Sequence, residues 1–421
     1  MLYGWEIISE EEKRLIAEGI RKGKAFGGPY HIVLFPTDRC NLDCFFCYTE
    51  GLRRQAKEIE WDVLQRALAE GVAMGVKSVS FGGGGEPLIY PSLAPLLNFI
   101  EERHLKIDSI KTNGTALTDA VALRLIRSGL RRITISLNET DPVEYAGMGR
   151  VSPHLFGRAM EGIDNIIEAK RTAESDCEVS VQIFVWRENY RRLPQMMEAL
   201  LPTGADFIYV NTMEGLPVEK KMTGAQKEEF RGILRGVIER NAPRLQFNLT
   251  AEGLQQYAEA EQYRVYPQAI DLPDICRTGR RVEFCYIGWY AAVIEASGDV
   301  YSCCHFATDA AKSLGNLHMR TLRDIWYGER ANDFRREMRH LLLTDADMRL
   351  LPRKTRFIHP LCLERTACAF NYYLCDPAFY MDLNRWAKKH GRAYRFFQAL
   401  KSLPSRAVHR IKNFQNEINI K

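Results

Sequence analysis

The chain has 421 residues, of which 46% are hydrophobic and 26% charged, and it carries a net charge of +5. That length exceeds one ordinary core, so two domains are expected, with the balance of a soluble globular protein. No apolar run is long enough to span a membrane, and no secretory core follows Met1, so a cytoplasmic protein without a membrane partner is expected.

In chain order, residues 7–24 mix charged and apolar positions and predict a short leading helix, inside an N-terminal stretch 1–30 too small for a domain of its own. From residue 31 strand and helix alternate. Apolar strands are predicted at Ile32–Phe35, Ser78–Phe81, Ile107–Ile110, Ile133–Leu137, Val179–Val185 and Phe207–Val210. Helical patterns lie between them, near 60–75, 92–104, 118–129, 154–170 and 190–201. Repeated alternation implies a parallel α/β sheet over residues 31–215, either a partial barrel with helices outside or an open doubly wound sheet. In a barrel, active residues sit on the loops at the C-terminal strand ends.

The first such loop holds Cys40, Cys44 and Cys47 at spacing C-x3-C-x2-C. Three thiolates are one short of a closed zinc or electron-transfer site. On a four-iron cluster they leave one iron open to a substrate; the alternative is a zinc site completed by a distant residue. The second strand runs into Gly82-Gly83-Gly84-Gly85-Glu86-Pro87, where glycines permit close approach and positive φ. The third leads into Lys111-Thr112-Asn113-Gly114, in which Asn113 is a pocket or a turn residue. Gln182 is a polar residue inside an apolar strand, and Cys177 reads as a buried small residue.

These motifs resemble the radical S-adenosylmethionine (SAM) superfamily. The resemblance implies a partial (β/α)6 TIM-like barrel and a [4Fe-4S] cluster on Cys40, Cys44 and Cys47. SAM would bind the open iron and be cleaved by one electron to a 5'-deoxyadenosyl radical. It further implies SAM contacts by Phe46, which precedes the last cysteine, by Gly84, Gly85 and Glu86, by Ser136 after the fourth strand, by Arg150 and by Gln182. Asn138 stands where many relatives have Asp.

After Asn211 the rhythm breaks, and residues 216–275 read as a helical connection, with an exposed charged helix over 223–240. Cysteines return at Cys276, Cys285, Cys303, Cys304, Cys362, Cys368 and Cys375, a density that argues for a second inorganic site rather than disulfides. Tyr290–Ile294, the turn Ser297-Gly298-Asp299 and Val300–Cys303 predict a hairpin that returns Cys303 towards its first strand. Cys304, its neighbour, would point to the opposite face.

Residues 276–380 resemble the SPASM and twitch extensions of radical SAM enzymes, through C-x12-G-x4-C, the Leu314-Gly315-Asn316-Leu317 segment and the tryptophan of the helix Thr321–Trp326. The resemblance implies one or two auxiliary iron–sulfur clusters. One would use Cys285, Cys303 and two later cysteines such as Cys362 and Cys368. The other would use Cys276, Cys375 and His359, which stands at a family cysteine position. Zinc is the alternative here too.

The tail 381–421 is basic but carries no nucleic-acid motif, so a solvated helical face is expected rather than a nucleic-acid partner. The expected activity is hydrogen abstraction from a peptide or natural product, with an electron donor such as flavodoxin or ferredoxin. Dehydrogenation or dehydration of an aminoglycoside or sugar is the alternative within the enzyme class; a zinc- or cluster-bound interaction module is the non-enzymatic one.

Overall fold

The computed structural model describes residues 7–47, 49–212, 218–241, 246–247, 285–344, 357, 379, 382–383 and 385–391. The leading helix α1 (Glu10–Lys22) forms as predicted. Ser9 and Glu12 make a reciprocal capping box at its start, and Gly23 ends it in a left-handed conformation, φ 72°.

Seven parallel strands follow: β1 (His31–Phe35), β2 (Ser78–Phe81), β3 (Lys106–Thr112), β4 (Arg132–Ser136), β5 (Glu178–Val185), β6 (Phe207–Thr212) and β7 (Gln246–Phe247). They pair in sequence order. The connecting helices are α2 (Glu50–Arg53), α3 (Trp61–Met74), α4 (Leu93–Glu102), α5 (Asp119–Arg127), α6 (Pro142–Gly149), α7 (His154–Thr172) and α8 (Leu193–Leu200), with α9 (Gly224–Asn241) after β6.

The two faces of the sheet differ because side chains alternate along each strand. Val79, Ile107, Ile133, Ile135, Val179, Val181 and Ile183 are fully buried, as are Leu64, Leu68, Leu96, Ile100, Leu125, Ile163 and Leu193 on the helices. Each such side chain contributes about 1.5–3 kcal/mol by leaving water. The opposite face is polar, and a register shift in the β2–β3 pairing, from Val79↔Ile107 to Ser80↔Ser109, brings Ser109 and Lys111 onto it. Ser109 donates to Ser80 (2.9 Å), Thr134 and Ser180 share a hydrogen bond (3.0 Å), and Lys111 Nζ donates to Gln182 Oε1 (2.9 Å). Lys111 is exposed although β3 lies between two partners, so this inner face is open. The order β1 to β7 has no switch point, which excludes the doubly wound alternative, and among the described residues no strand closes the sheet, so it is a partial barrel.

The predicted hairpin exists as β8 (Ala291–Glu295) and β9 (Asp299–Tyr301), joined through Gly298 at φ 82°. Its position was not legible in the sequence. β8 pairs in parallel with β1 over five residues, from His31↔Ala291 to Phe35↔Glu295, and β10 (Gly315–Asn316) pairs with β9. The hairpin therefore continues the barrel's own sheet. The predicted Gly-Asn segment is this third strand, and Asn316 Nδ2 donates to Ser297 O (3.0 Å) across the turn. The tryptophan of the predicted helix, Leu322–Trp326 as observed, donates from Nε1 to Gly27 O (3.0 Å), tying the hairpin unit to the segment before β1. A turn of helix, Ile287–Tyr290, precedes β8 where extended chain was expected from Tyr290. The exposed helix expected over 223–240 is α9, and it is amphipathic, burying Phe230, Leu234 and Val237. No helix among the described residues is long and apolar enough to cross a membrane.

Candidate active site

The loop after β1 places Cys40, Cys44 and Cys47 at the C-terminal edge of the sheet, with all three partly exposed. Burial pushes the Cys44 thiol up to about 12 and the Cys40 thiol to about 11, and the neighbouring thiols add to the Cys44 shift. The bare loop therefore keeps these two sulfurs protonated at neutral pH, and a metal must displace protons to bind. Arg53 on α2 braces the loop, donating to Leu42 O (2.8 Å) and Asp43 Oδ1 (2.7 Å). Asn113 donates to Asn41 Oδ1 (2.8 Å) and more weakly to Cys40 Sγ (3.9 Å). Its own Oδ1 accepts from Thr115, so Asn113 is both a turn residue and a brace of the cysteine loop. Among the described residues no three His, Cys, Asp or Glu side chains crowd onto a single-ion site.

The glycine run meets this loop backbone to backbone. Gly85 N donates to Thr37 O (2.8 Å), Glu86 N to Arg39 O (2.8 Å) and Thr49 Oγ1 to Gly84 O (2.7 Å). A Cβ on Gly85 would lie 1.8 Å from Arg39 O, and one on Gly84 2.9 Å from Thr37 O. Part of the demand for glycine is thus this close approach within the chain itself. The Glu86 carboxylate turns inwards and accepts from Leu88 N (3.1 Å), Thr112 Oγ1 (2.6 Å) and Asn113 N (2.7 Å). Burial raises its pKa and these three donors oppose the rise. It locks the β2 and β3 loops together.

Beyond the cysteines, Phe46 stands in an aromatic group with Phe45, Phe184 and Trp186 at centroid distances of 5.0–6.2 Å. Ser136 is half-buried at the end of β4, in register with Gln182 on β5. Gln182 Nε2 and Asn138 Oδ1 are buried without a hydrogen-bond partner among the described residues. Asn138 has φ 66°, and its backbone N–H donates to Gln182 O (2.9 Å), which ties the two strand ends together. Arg150 instead ends α6 in a left-handed conformation, φ 50°; its side chain is more than half exposed and lies 3.4 Å from Asp43.

Cys285 is half-buried before the hairpin and Cys303 is buried just after β9; Cys304 is partly exposed, but it opens a 3-10 turn, Cys304–Phe306, so the two are not strand neighbours as expected. Cys276, His359, Cys362, Cys368 and Cys375 lie outside the described residues. Cys177 is fully buried, as expected. Where the two units join, Asp38 faces Glu295 at the end of β8; burial, and then the Glu295 charge, push the Asp38 carboxyl up to about 7.

Sequence reasoning missed three residues here. Arg53 and Tyr145, the latter on α6 under the cysteine loop, carried no motif. Lys111 lies just beyond the predicted strand Ile107–Ile110 and inside the observed β3, so the signal that singled out Gln182, a polar residue inside an apolar strand, would have found it only with the longer strand.

A four-iron cluster fits this donor set of three thiols on one loop, and the unpartnered Gln182 Nε2 and Asn138 Oδ1 fit a polar cosubstrate. The sequence matches the family model of the Radical SAM superfamily over residues 34–200 and that of an iron-sulfur cluster-binding domain, SPASM, over residues 285–346. The chain belongs to the radical SAM superfamily and is an enzyme of its SPASM/twitch type. Its cofactors are a [4Fe-4S] cluster, SAM and auxiliary iron–sulfur clusters.

Among its relatives is the tungsten-containing aldehyde ferredoxin oxidoreductase cofactor-modifying protein of Pyrococcus furiosus, 25% identical over 321 residues, covering 72% of this chain and 83% of that one. A probable GTP 3',8-cyclase of Methanosarcina mazei is 33% identical over 141 residues, 32% of this chain and 41% of that protein. SuiB of Streptococcus suis bound to S-adenosylmethionine superposes with TM-score 0.53 at 19% identity, covering 75% of this chain and 69% of that one. anSMEcpe with bound AdoMet superposes with TM-score 0.53 at 15% identity, covering 90% and 97%. At these identities the two structures share the fold.

Proposed function

We propose that the chain is a radical SAM oxidoreductase that takes a hydrogen atom from a peptide or natural-product substrate, with Cys40, Cys44 and Cys47 holding the catalytic cluster. The observation that carries this reading is three thiols on one loop at the C-terminal edge of a parallel sheet whose polar inner face is open. When bound, the cluster and SAM supply the one-electron cleavage that generates a 5'-deoxyadenosyl radical.

The protein's own part is to hold and to orient. The cysteine loop gives up its thiol protons on loading, and Arg53 places a cation beside the resulting negative charge. Gly84, Gly85 and Glu86 hold the β2 loop against the cysteine loop, so that the backbone presented to SAM is fixed by Glu86's three donors. Phe46 offers a ring face to the adenine; Ser136 and Gln182 offer a hydroxyl and an amide to the polar parts of SAM, and Arg150 a cation at the rim. Cys285 and Cys303, with Cys362 and Cys368, hold an auxiliary cluster, and Cys276 and Cys375 serve a second. A flavodoxin or ferredoxin supplies the electron.

A peptide is the favoured substrate class, because the same fold accommodates one in SuiB bound to precursor peptide SuiA and in anSMEcpe with the Cp18Cys peptide. The test is anaerobic reconstitution followed by iron and sulfide analysis and by assay of 5'-deoxyadenosine from SAM and dithionite. Deuterium passed from a labelled peptide into 5'-deoxyadenosine identifies the substrate class. Zinc without iron, and no 5'-deoxyadenosine, would overturn the reading.

A further inference from the structure

Tyr145 takes part in none of the roles above. It lies on α6, whose last carbonyls accept from the cysteine loop: Asp43 N donates to Gly149 O (2.8 Å) and Phe45 N to Met148 O (3.3 Å). The side chain is fully buried, and its ring packs edge-on against Phe156 at 5.7 Å between centroids. Its hydroxyl is buried with no hydrogen-bond partner among the described residues. Buried hydroxyls rarely go without an acceptor, and one that does points to a group not drawn from the chain. Burial, followed by the charges of Cys44, Cys40 and Glu86, raises the phenol's pKa, which places those groups around it. Glu86 already accepts three hydrogen bonds from the chain, and neither it nor a cysteine sulfur accepts from the Tyr145 hydroxyl, so the acceptor is a group that the chain does not supply.

We propose that the Tyr145 hydroxyl donates a hydrogen bond to a sulfide of the catalytic cluster and thereby sets the cluster's reduction potential. The proposal rests on the assignment of that cluster to Cys40, Cys44 and Cys47. A donor on sulfur favours the reduced, more negative cluster over the oxidised one, so the potential is higher with the hydroxyl than without it. Tyr145 is a positioning and tuning residue and touches neither SAM nor substrate in this account.

The test is an EPR-monitored redox titration of the reconstituted full-length protein, with dithionite as reductant. Tyr145→Phe removes only the O–H and keeps the ring on Phe156. Its midpoint potential should fall by about 59 mV, a tenfold change in a one-electron equilibrium. Iron, sulfide and the unfolding midpoint should match the wild type, which a merely structural role would not predict. Wild-type protein grown with 3-fluorotyrosine needs no substitution: its stronger phenol donor should shift the same signal to higher potential. An unchanged potential in the loaded Tyr145→Phe protein, or, should that variant not load, in the fluorinated protein, overturns the proposal. The Cys40→Ala, Cys44→Ala, Cys47→Ala triple variant keeps the two levels apart. The signal to follow is the one lost in that variant, since the auxiliary signal stays; if no signal is lost in it, the cluster assignment fails, whereas a signal lost in it but unmoved by the tyrosine changes defeats the tyrosine proposal alone.

Discussion

The contact between the glycine run and the cysteine loop makes a matched pair of substitutions informative. A Cβ on Gly85 would meet only backbone: Arg39 O at 1.8 Å, Arg39 C at 2.4 Å and Asp38 C at 2.6 Å. No side chain can swing aside, so the two loops must part by about 1.5 Å to regain ordinary contact. Parting loses the Gly85–Thr37 and Glu86–Arg39 hydrogen bonds, each of which contributes about 1 kcal/mol. With an overpacking cost of about 1–3 kcal/mol, Gly85→Ala should destabilise the region by about 3–5 kcal/mol. A Cβ on Gly82, three residues away, would meet only Phe35 Cε1 at an ordinary 3.8 Å, so Gly82→Ala should be close to neutral. The assay is urea unfolding together with iron and sulfide per chain after anaerobic reconstitution. Gly85→Ala should lose about four irons while the auxiliary absorbance remains; Gly82→Ala should load fully. If Gly85→Ala loads and unfolds like the wild type, the loops are not locked as described, and the reason given for the glycine is wrong.

The Cys40→Ala, Cys44→Ala, Cys47→Ala variant should form no 5'-deoxyadenosine yet keep its fold and auxiliary absorbance, measured by circular dichroism and visible spectroscopy; retained product would remove the three cysteines from the catalytic role. Cys285→Ala should lower iron content and substrate turnover while leaving slow, uncoupled SAM cleavage, and unchanged iron would take Cys285 off the ligand set. Arg192 lies 2.6 Å from Glu139, whose carboxyl is buried and held above the usual carboxylate range chiefly by burial. Arg192 is one-third exposed, so Arg192→Ala should cost about 2–3 kcal/mol at neutral pH, below the full penalty for breaking a buried pair. A raised carboxyl pKa makes stability fall as pH rises from the ordinary carboxylate range through the folded-state value, and losing the cation steepens that fall. Urea unfolding of the variant at about pH 5 and pH 8 should show the larger deficit at pH 8; an equal deficit would mean that Glu139's charge is not what Arg192 offsets.

What the sequence disclosed follows from the range over which each feature is encoded. The barrel strands and their helices were legible because each is a local pattern: apolar runs such as Ile32–Phe35, and amphipathic segments closed by Gly23 or Gly75. The cysteine loop was legible because its three cysteines are seven residues apart at most. Helix α6 was passed over as a loop, although Asp141 caps it and Pro142 fills its first position, a start signal readable in the sequence. That oversight hid Tyr145, whose importance in any case depends on a contact with a loop a hundred residues earlier.

The attachment of the hairpin to β1 illustrates the harder limit. Nothing in Ala291–Glu295 names His31–Phe35 as its partner, since parallel pairing is decided by which edge is free and what covers the faces. Yet this pairing has the largest consequence for function. It brings Asp38, two residues before Cys40, against Glu295, at the turn that leads to Cys303. The cysteine loop and the hairpin are therefore at adjoining strand ends of one sheet. A displacement at one must be felt at the other, because a packed sheet transmits strain instead of absorbing it.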